Sequence, residues 1–398
     1  MHISGMPMKR LDINCKPFAP LRTYYHYTSL EALWAILETE TLRTTQARFS
    51  NDSEEIKKGV HILKELCSQH KGGSLEKYAN RFEDGDGEDI DCYIACFCGD
   101  SDILSQWRGY CRSDGVSVGF AFDDAWLRYY FKDADDDKQE PQEIRLYRVW
   151  YVAEEGKEYK EHEKPRLIDE KTLKDELSKK LENLDELSTE TCKAFMDSVI
   201  PLIKHAGFCE EDEYRLMILN TLSEHGGMNP TPLDKYVRYS EADGIKRPYI
   251  TISFGKNRPA PHVEEVRLYG LEKSGEQELR RLLETSPAGE AGQAAYRLVC
   301  EDGWKGPPQI IIGSGENQQQ VFEAFDRILT ANAKESTSLF PGVKLWCEGH
   351  LPIRSIKVSP CQNQKEVIES IRHYCVHQKF WMKYVEVSGS GTPYRRPK

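Results

Sequence analysis

Long apolar runs are missing from this 398-residue chain. Nothing approaches the roughly 18 consecutive apolar residues of a membrane span, so no membrane partner is expected. Met1 to Pro20 lacks the apolar stretch of a secretory signal, which leads to the expectation of a cytoplasmic protein. Cys-x-x-Cys pairs are missing too. The 12 cysteines stand apart except for Cys92, Cys96 and Cys98, so neither a disulfide framework nor a zinc site is expected. Cys92, Ile94, Cys96 and Cys98 instead share one face of a strand by the period of two, where free cysteine acts as a small buried hydrophobe. A basic surplus is also absent. The formal net charge of -11 argues against sequence-independent binding to a nucleic-acid backbone, although a local basic groove stays open.

What is present suits a folded core. Hydrophobic residues make up 39% and aromatics 10%, and at about 150 residues per domain the length allows two domains or one large domain with insertions. Acidity is concentrated in Asp133–Glu140 and Glu154–Glu190, which read as a solvated helical insertion.

Tyr24–Tyr27 is strand-like. Ser29 is placed to cap a helix whose Leu30, Leu33, Trp34 and Leu37 recur at helical spacing. Leu42–Phe49 reads as a strand, and Asn51-Asp52-Ser53 opens a helix carrying Ile56, Val60, Leu63 and Leu66. Further strands are predicted at Cys92–Cys98, Val116–Phe122, Ile144–Val152, Glu213–Leu219 and Tyr249–Phe254, with a short helix or turn at Leu104–Tyr110. Many strands flanked by helices, without a regular βαβ array, predict an α+β fold. Near the end, Gln309–Glu323 reappears as Ser355–Glu369, 46 residues on, with Asn317/Asn363, Gln318/Gln364, Val321/Val367 and Glu323/Glu369 matched. Each copy reads as a strand, a polar turn and a helix. Gly313-Ser314-Gly315 before the first such helix is a weak anion signal.

Three constellations can carry chemistry. Tyr25-His26-Tyr27-Thr28-Ser29 puts a His and hydroxyls at a strand-to-helix junction, where they can bond ribose hydroxyls or simply cap the helix. Trp107 and Tyr110 lie three apart on one helical face, able to stack on a flat ring or fill the core. In Glu211-Asp212-Glu213-Tyr214-Arg215, a strand starting at Glu211 places Glu211, Glu213 and Arg215 on one face. That face is either a catalytic carboxylate beside an Arg that keeps it ionised, or a charge ladder on an exposed edge.

Taken in order, His26-Tyr27-Thr28-Ser29, Leu42-Arg43, Phe49-Ser50-Asn51-Asp52-Ser53-Glu54, Cys96-Phe97, Trp107, Tyr110, Gly115–Phe120 and Glu211–Leu216 resemble a bacterial family of unknown function. Leu351–Pro360, the helix after Asn363, and Thr392-Pro393-Tyr394-Arg395 are similar to the end of that family. The first segment in turn looks like the opening motif of the His-Tyr-Glu branch of ADP-ribosyltransferases. That resemblance implies a split-sheet core and NAD as substrate. His26, with Tyr27 and Thr28, would hold the NAD ribose, Tyr110 or Trp107 would stack on nicotinamide, and Asn51 would line the pocket. Glu213, beside Arg215, would stabilise the oxocarbenium-like transition state, with Glu211 influencing the choice of target.

The domain organisation then expected is a core over 22–255 with a helical insertion at about 155–205, an inserted α/β segment over 256–345, and the rest of the core over 346–396. The expected activity is NAD-dependent ADP-ribosyl transfer to a protein or nucleic acid, or NAD hydrolysis, in a toxin or antiphage effector. A non-catalytic nucleotide-binding module in a multi-subunit complex with a partner protein is the first rival. An RNA 2′-phosphotransferase is the second, although the sequence offers no paired basic residues to hold that phosphate. Glu213→Gln is expected to fold normally and to change stability by less than about 1 kcal/mol.

Overall fold

The computed structural model describes residues 22–49, 53–69, 75–76, 90, 92–111, 114–122, 127–131, 142–144, 146–153, 167–181, 189–219, 233–242, 244–254, 264–285, 296–301, 308–312, 318–333, 340, 342–347 and 350–392. They form a mixed α+β protein with a twelve-stranded sheet and two smaller ones.

The first strand, β1 (Arg22–Ser29), runs straight into α1 (Leu30–Thr39). Ser29 makes the junction: its Oγ accepts the Ala32 N–H at 3.1 Å, satisfying one of the orphan donors of the first turn. Leu33, Ile36 and Leu37 form the buried stripe. The helix stops at Glu40, which is left-handed (φ 52°) with its N–H on the Ile36 carbonyl. That conformation costs a non-glycine residue about 1–2 kcal/mol. The Glu40 carboxylate is in turn gripped by His350 Nδ1 at 2.7 Å and Lys379 Nζ at 2.8 Å.

The chain continues through β2 (Leu42–Gln46), α2 (Ser53–Cys67), β3 (Cys92–Cys98), α3 (Leu104–Tyr110) and β4 (Gly115–Phe122). β2 is shorter than the predicted Leu42–Phe49, because Ala47–Phe49 coil into a 3-10 turn. β4 pairs antiparallel with β1 along its whole length, from Arg22↔Phe122 to Ser29↔Gly115. The close approach of β18 (Ile353–Val358) on the far side of β4 explains one glycine. A Cβ on Gly119 would lie 2.4 Å from Ser355 Oγ.

β1 and β3, by contrast, meet at the single pair Tyr25↔Cys98. β3 runs instead beside β11 (Glu213–Leu219), in register from Glu213↔Cys98 to Leu219↔Cys92. The sheet is therefore split between β1 and β3. One half is β19 (Glu386–Gly389), β18, β4 and β1. The other joins β3, β11 and β7 (Leu146–Arg148) to β2, β13 (Ile245–Ser253), β12 (Arg238–Ala242), β5 (Leu127–Phe131) and β6 (Gln142–Ile144).

The predicted strand Ile144–Val152 is three pieces. β6 and β7 stay in the large sheet, whereas β8 (Trp150–Ala153) lies between β9 (Leu167–Asp169) and β10 (Ile203–His205) in a parallel sheet. Trp150, Tyr151 and Val152 are all buried, so consecutive side chains need cover on both faces, as parallel strands obtain.

The acidic insertion is likewise not merely solvated. Its helices α4 (Glu170–Leu181) and α5 (Thr189–Val199) bury Leu173, Leu177, Leu181 and Met196 against Ile56 and Leu63 of α2, and against Cys92, Ile94 and Met217 of the sheet. Each buried Leu contributes about 1.5–3 kcal/mol. Tyr93, Ala95 and Phe97 enter the main core, so successive residues of β3 serve two cores.

A four-stranded sheet follows: β14 (Glu264–Tyr269), α6 (Lys273–Thr285), β15 (Tyr296–Glu301), β16 (Gln309–Ile312), α7 (Gln318–Asn332) and β17 (Lys344–Cys347). β14–β15 and β16–β17 are parallel pairs joined by antiparallel β14–β16. β16–α7 has the same form as β18–α8 (Gln364–Gln378). Gln318 and Gln364 each open their helix and send Nε2 back to the last carbonyl of the preceding strand, Ile312 at 3.3 Å and Val358 at 3.1 Å. Each helix leads to a parallel partner strand, β17 or β19. Gly313-Ser314-Gly315 lies outside the described residues.

Candidate functional site

The split between β1 and β3 opens onto a cavity of about 450 Å³, within the roughly 300–1,000 Å³ usual for small-molecule sites. His26, Tyr27 and Thr28 reach it from β1, Tyr110 from α3, Glu211 from the 3-10 turn before β11, and Glu213 from the start of β11.

Glu213 is fixed from several sides. The preceding Asp212 is left-handed (φ 39°), held by Arg148 Nη2 on its carboxylate at 2.8 Å. The Glu213 N–H donates to the Tyr151 hydroxyl oxygen at 2.8 Å. Its carboxylate takes Arg215 Nε on Oε1 at 2.7 Å and Nη2 on Oε2 at 2.9 Å, since residues two apart on a strand share a face. Lys204 Nζ lies 3.2 Å from Oε2 and also bonds Glu211, while Arg215 Nη1 donates to the Pro201 carbonyl. Glu213, Lys204 and Arg215 are exposed by 3%, 1% and 1%. Burial pushes the Glu213 carboxyl up, but Arg215 and Lys204 outweigh it and hold the group ionised, below the usual carboxylate range. The acidic pair thus sits in a cluster of two carboxylates and two cations. β11 lies between β3 and β7, so the exposed-edge alternative does not hold. Glu211 belongs to a 3-10 turn rather than to the strand.

His26 spans the split: its Nδ1 lies 2.8 Å from the Cys96 carbonyl. A carbonyl only accepts, so Nδ1 carries the proton and Nε2 is left as an acceptor. Burial lowers the imidazole pKa against the raising effect of that carbonyl, keeping the ring neutral near pH 7. Tyr110 lines the cavity half-buried, and burial raises its phenol well above the ordinary value, so it remains a neutral donor.

Tyr27 and Trp107 also hold the segment that follows β3. The Tyr27 hydroxyl donates to the Asp100 carbonyl at 2.9 Å and accepts the Ile103 N–H at 2.8 Å. Trp107 packs edge-on against Tyr27 at 4.8 Å, 4% exposed, and its Nε1–H donates to Asp102 at 2.8 Å. It is absent from the cavity lining, whereas Tyr110 is part of it. Arg215 acts beneath the cavity through Glu213. Asn51 lies outside the described residues.

Sequence reasoning missed Lys204, whose only signal is a lone cation within the apolar run Val199–Ala206. Its reading of Cys96 and Cys98 as small buried hydrophobes fits their packing, and both also line the cavity, opposite Arg215 and Glu213 in register. It gave no role to Arg43, Ser240, Arg247 and Tyr249, which line the same space from β2, β12 and β13.

Residues 106–216 match a family described as "Protein of unknown function (DUF2971)". That stretch contains Tyr110, Glu211 and Glu213 but not His26, and it covers well under half of the chain. No curated protein and no solved structure matches. Among the described residues, no helix is long and apolar enough to cross a membrane.

Proposed function

We propose that the cavity binds NAD and cleaves its bond to nicotinamide, passing ADP-ribose to a macromolecular acceptor or to water. The observation that carries this reading is the meeting of His26, Tyr110 and Glu213 in one cavity from segments far apart in sequence. The resemblance to the His-Tyr-Glu ADP-ribosyltransferases implies His26 for ribose, Glu213 for the developing positive charge, and Tyr110 or Trp107 for nicotinamide, of which Tyr110 lines the cavity. Cleaving a glycosidic bond leaves positive charge on the sugar, and an ionised, desolvated carboxylate is suited to offset it. His26, neutral and fixed by Cys96, offers an acceptor to a ribose hydroxyl. Tyr110 offers a ring face. A role as toxin or antiphage effector fits the same chemistry. Incubating the full chain with NAD and measuring released nicotinamide tests the proposal.

One observation favours a second reading, a nucleotide-binding module without turnover. Both oxygens of Glu213 are engaged by Arg215, and Lys204 is beside one of them. The neighbouring cations reduce the negative charge that Glu213 presents to a ligand. NAD that binds and is recovered intact would select this reading.

A further inference from the structure

Two arginines far apart in sequence line the cavity from the same sheet face as Glu213. Arg43 lies on β2 and Arg247 on β13. The strands pair antiparallel with Tyr249↔Thr45 and Thr251↔Arg43. Residues two apart on a strand point the same way, so Arg43, Thr45, Arg247 and Tyr249 occupy one face, and all four line the cavity. The Arg43 guanidinium sits 4.5 Å over the Tyr249 ring, which fixes its plane. Ser240 lines the same wall, opposite Arg247 on β12. Among the described residues, the ion pairs formed include neither Arg43 nor Arg247, unlike Arg215 and Lys204 at the buried end. Arg43 is exposed and Arg247 half-buried, which sets this pair at the mouth.

We infer that Arg43 and Arg247 form the phosphate-binding end of the cavity and select a ligand with a nucleoside diphosphate group. The inference deepens the reading above and rests on it for the identity of the nucleotide. A guanidinium presents a planar fork of donors that fits phosphate oxygens two at a time. Two forks on one face supply one positive charge for each phosphate of a diphosphate. The order along the cavity follows from solvation. Anionic phosphates lie at the wetter mouth, where holding them costs little desolvation, and the sugar lies deeper, against Glu213 and His26. The sequence shows no basic pair because only the β2–β13 register puts these two residues, about 200 positions apart, on one face.

Calorimetric titration of the full chain with ADP, adenosine and inorganic pyrophosphate tests this. ADP should bind at least ~10-fold more tightly than adenosine, and pyrophosphate should compete with it. Arg247→Gln and Arg43→Gln should each weaken ADP by ~10-fold or more while leaving adenosine within about twofold and thermal melting unchanged. Raising the salt concentration should weaken ADP and not adenosine. Equal binding of ADP and adenosine, or variants that bind ADP as the parent does, would overturn the inference, as would a parent that binds none of the three probes. An Arg43 variant that melts earlier but keeps its ADP affinity would assign that residue to packing on Tyr249 and overturn the paired site. ADP binding that depends on both arginines, in a chain that leaves NAD intact, would support the inference and defeat the cleavage reading alone.

Discussion

Arg215 holds both carboxylate oxygens of Glu213, at 2.7 Å and 2.9 Å, where each residue is almost wholly buried. Lys204 completes the grip at 3.2 Å. Removing one charge from such a cluster strands its partners, which typically costs about 3–5 kcal/mol. Glu213→Gln keeps the shape and one acceptor, so a loss of about 2–4 kcal/mol is expected. Urea denaturation of variant and parent measures it. This replaces the sequence-based expectation of a change under about 1 kcal/mol, which took Glu213 to serve function more than packing. A neutral result would remove the carboxylate from the cluster.

Acid should loosen the protein in two places. Burial raises the Glu40 carboxyl, but its bonds to His350 and Lys379 prevail and set it at about 2. Glu213 is lowered by Arg215 and Lys204 in the same manner. A carboxyl that is lower in the folded state contributes stability in full above its ordinary value of 4.5. That contribution is lost as pH falls toward the folded value. Stability should therefore drop between about pH 4.5 and 2, and Glu40→Gln should flatten part of the slope. Urea midpoints at pH 7, 4.5 and 3 provide the measurement, and an unchanged slope in the variant would contradict the clamp.

Local elements were legible because local chemistry sets them. Ser29 announces α1, and β3 and β11 follow from short apolar runs. The matched Asn-Gln segments led to β16–α7 and β18–α8, while the Gln clasp that both share emerged only from the structure. Long-range assembly was not legible. Trp150–Val152 reads as the end of one strand, and nothing nearby reveals that β8 leaves for a second sheet. The charged surface of α4 masks its Leu173–Leu177–Leu181 stripe. At the site, His26, Glu213 and Tyr110 carry recognisable local motifs. Arg43 and Arg247 acquire their places only through strand register, and Lys204 reaches Glu213 from a separate sheet.

Tyr110 and Trp107 should separate cleanly. Tyr110→Ala should weaken ligand binding by about tenfold through loss of a stacking face, while the melting temperature changes little. Trp107→Phe should remove the Asp102 hydrogen bond and part of the packing on Tyr27, costing about 1–3 kcal/mol. Melting curves and ligand titration of both variants distinguish the roles, and the reverse pattern would exchange the assignments.

The two glutamine clasps should behave alike. Gln318→Ala and Gln364→Ala each free a strand-end carbonyl, at Ile312 or Val358, and each should cost about 1–2 kcal/mol. Gln364 also bonds the Ser359 carbonyl at 3.0 Å, and Gln318 also meets His350 Nε2 at 3.2 Å, so the two losses should be similar. Denaturant midpoints for the two variants check this, and a neutral result for either would remove its clasp.

Nicotinamide release from NAD by the purified full chain tests the central claim most directly, followed by chromatography for the parent, Glu213→Gln and Tyr110→Ala, each first shown to be folded by circular dichroism. The parent should release nicotinamide, the Glu213 variant should lose about 10²–10⁴-fold of the rate, and the Tyr110 variant should fall chiefly through weaker binding. No release by the parent in the presence of bound NAD, or an undiminished rate from a folded Glu213 variant, would contradict it.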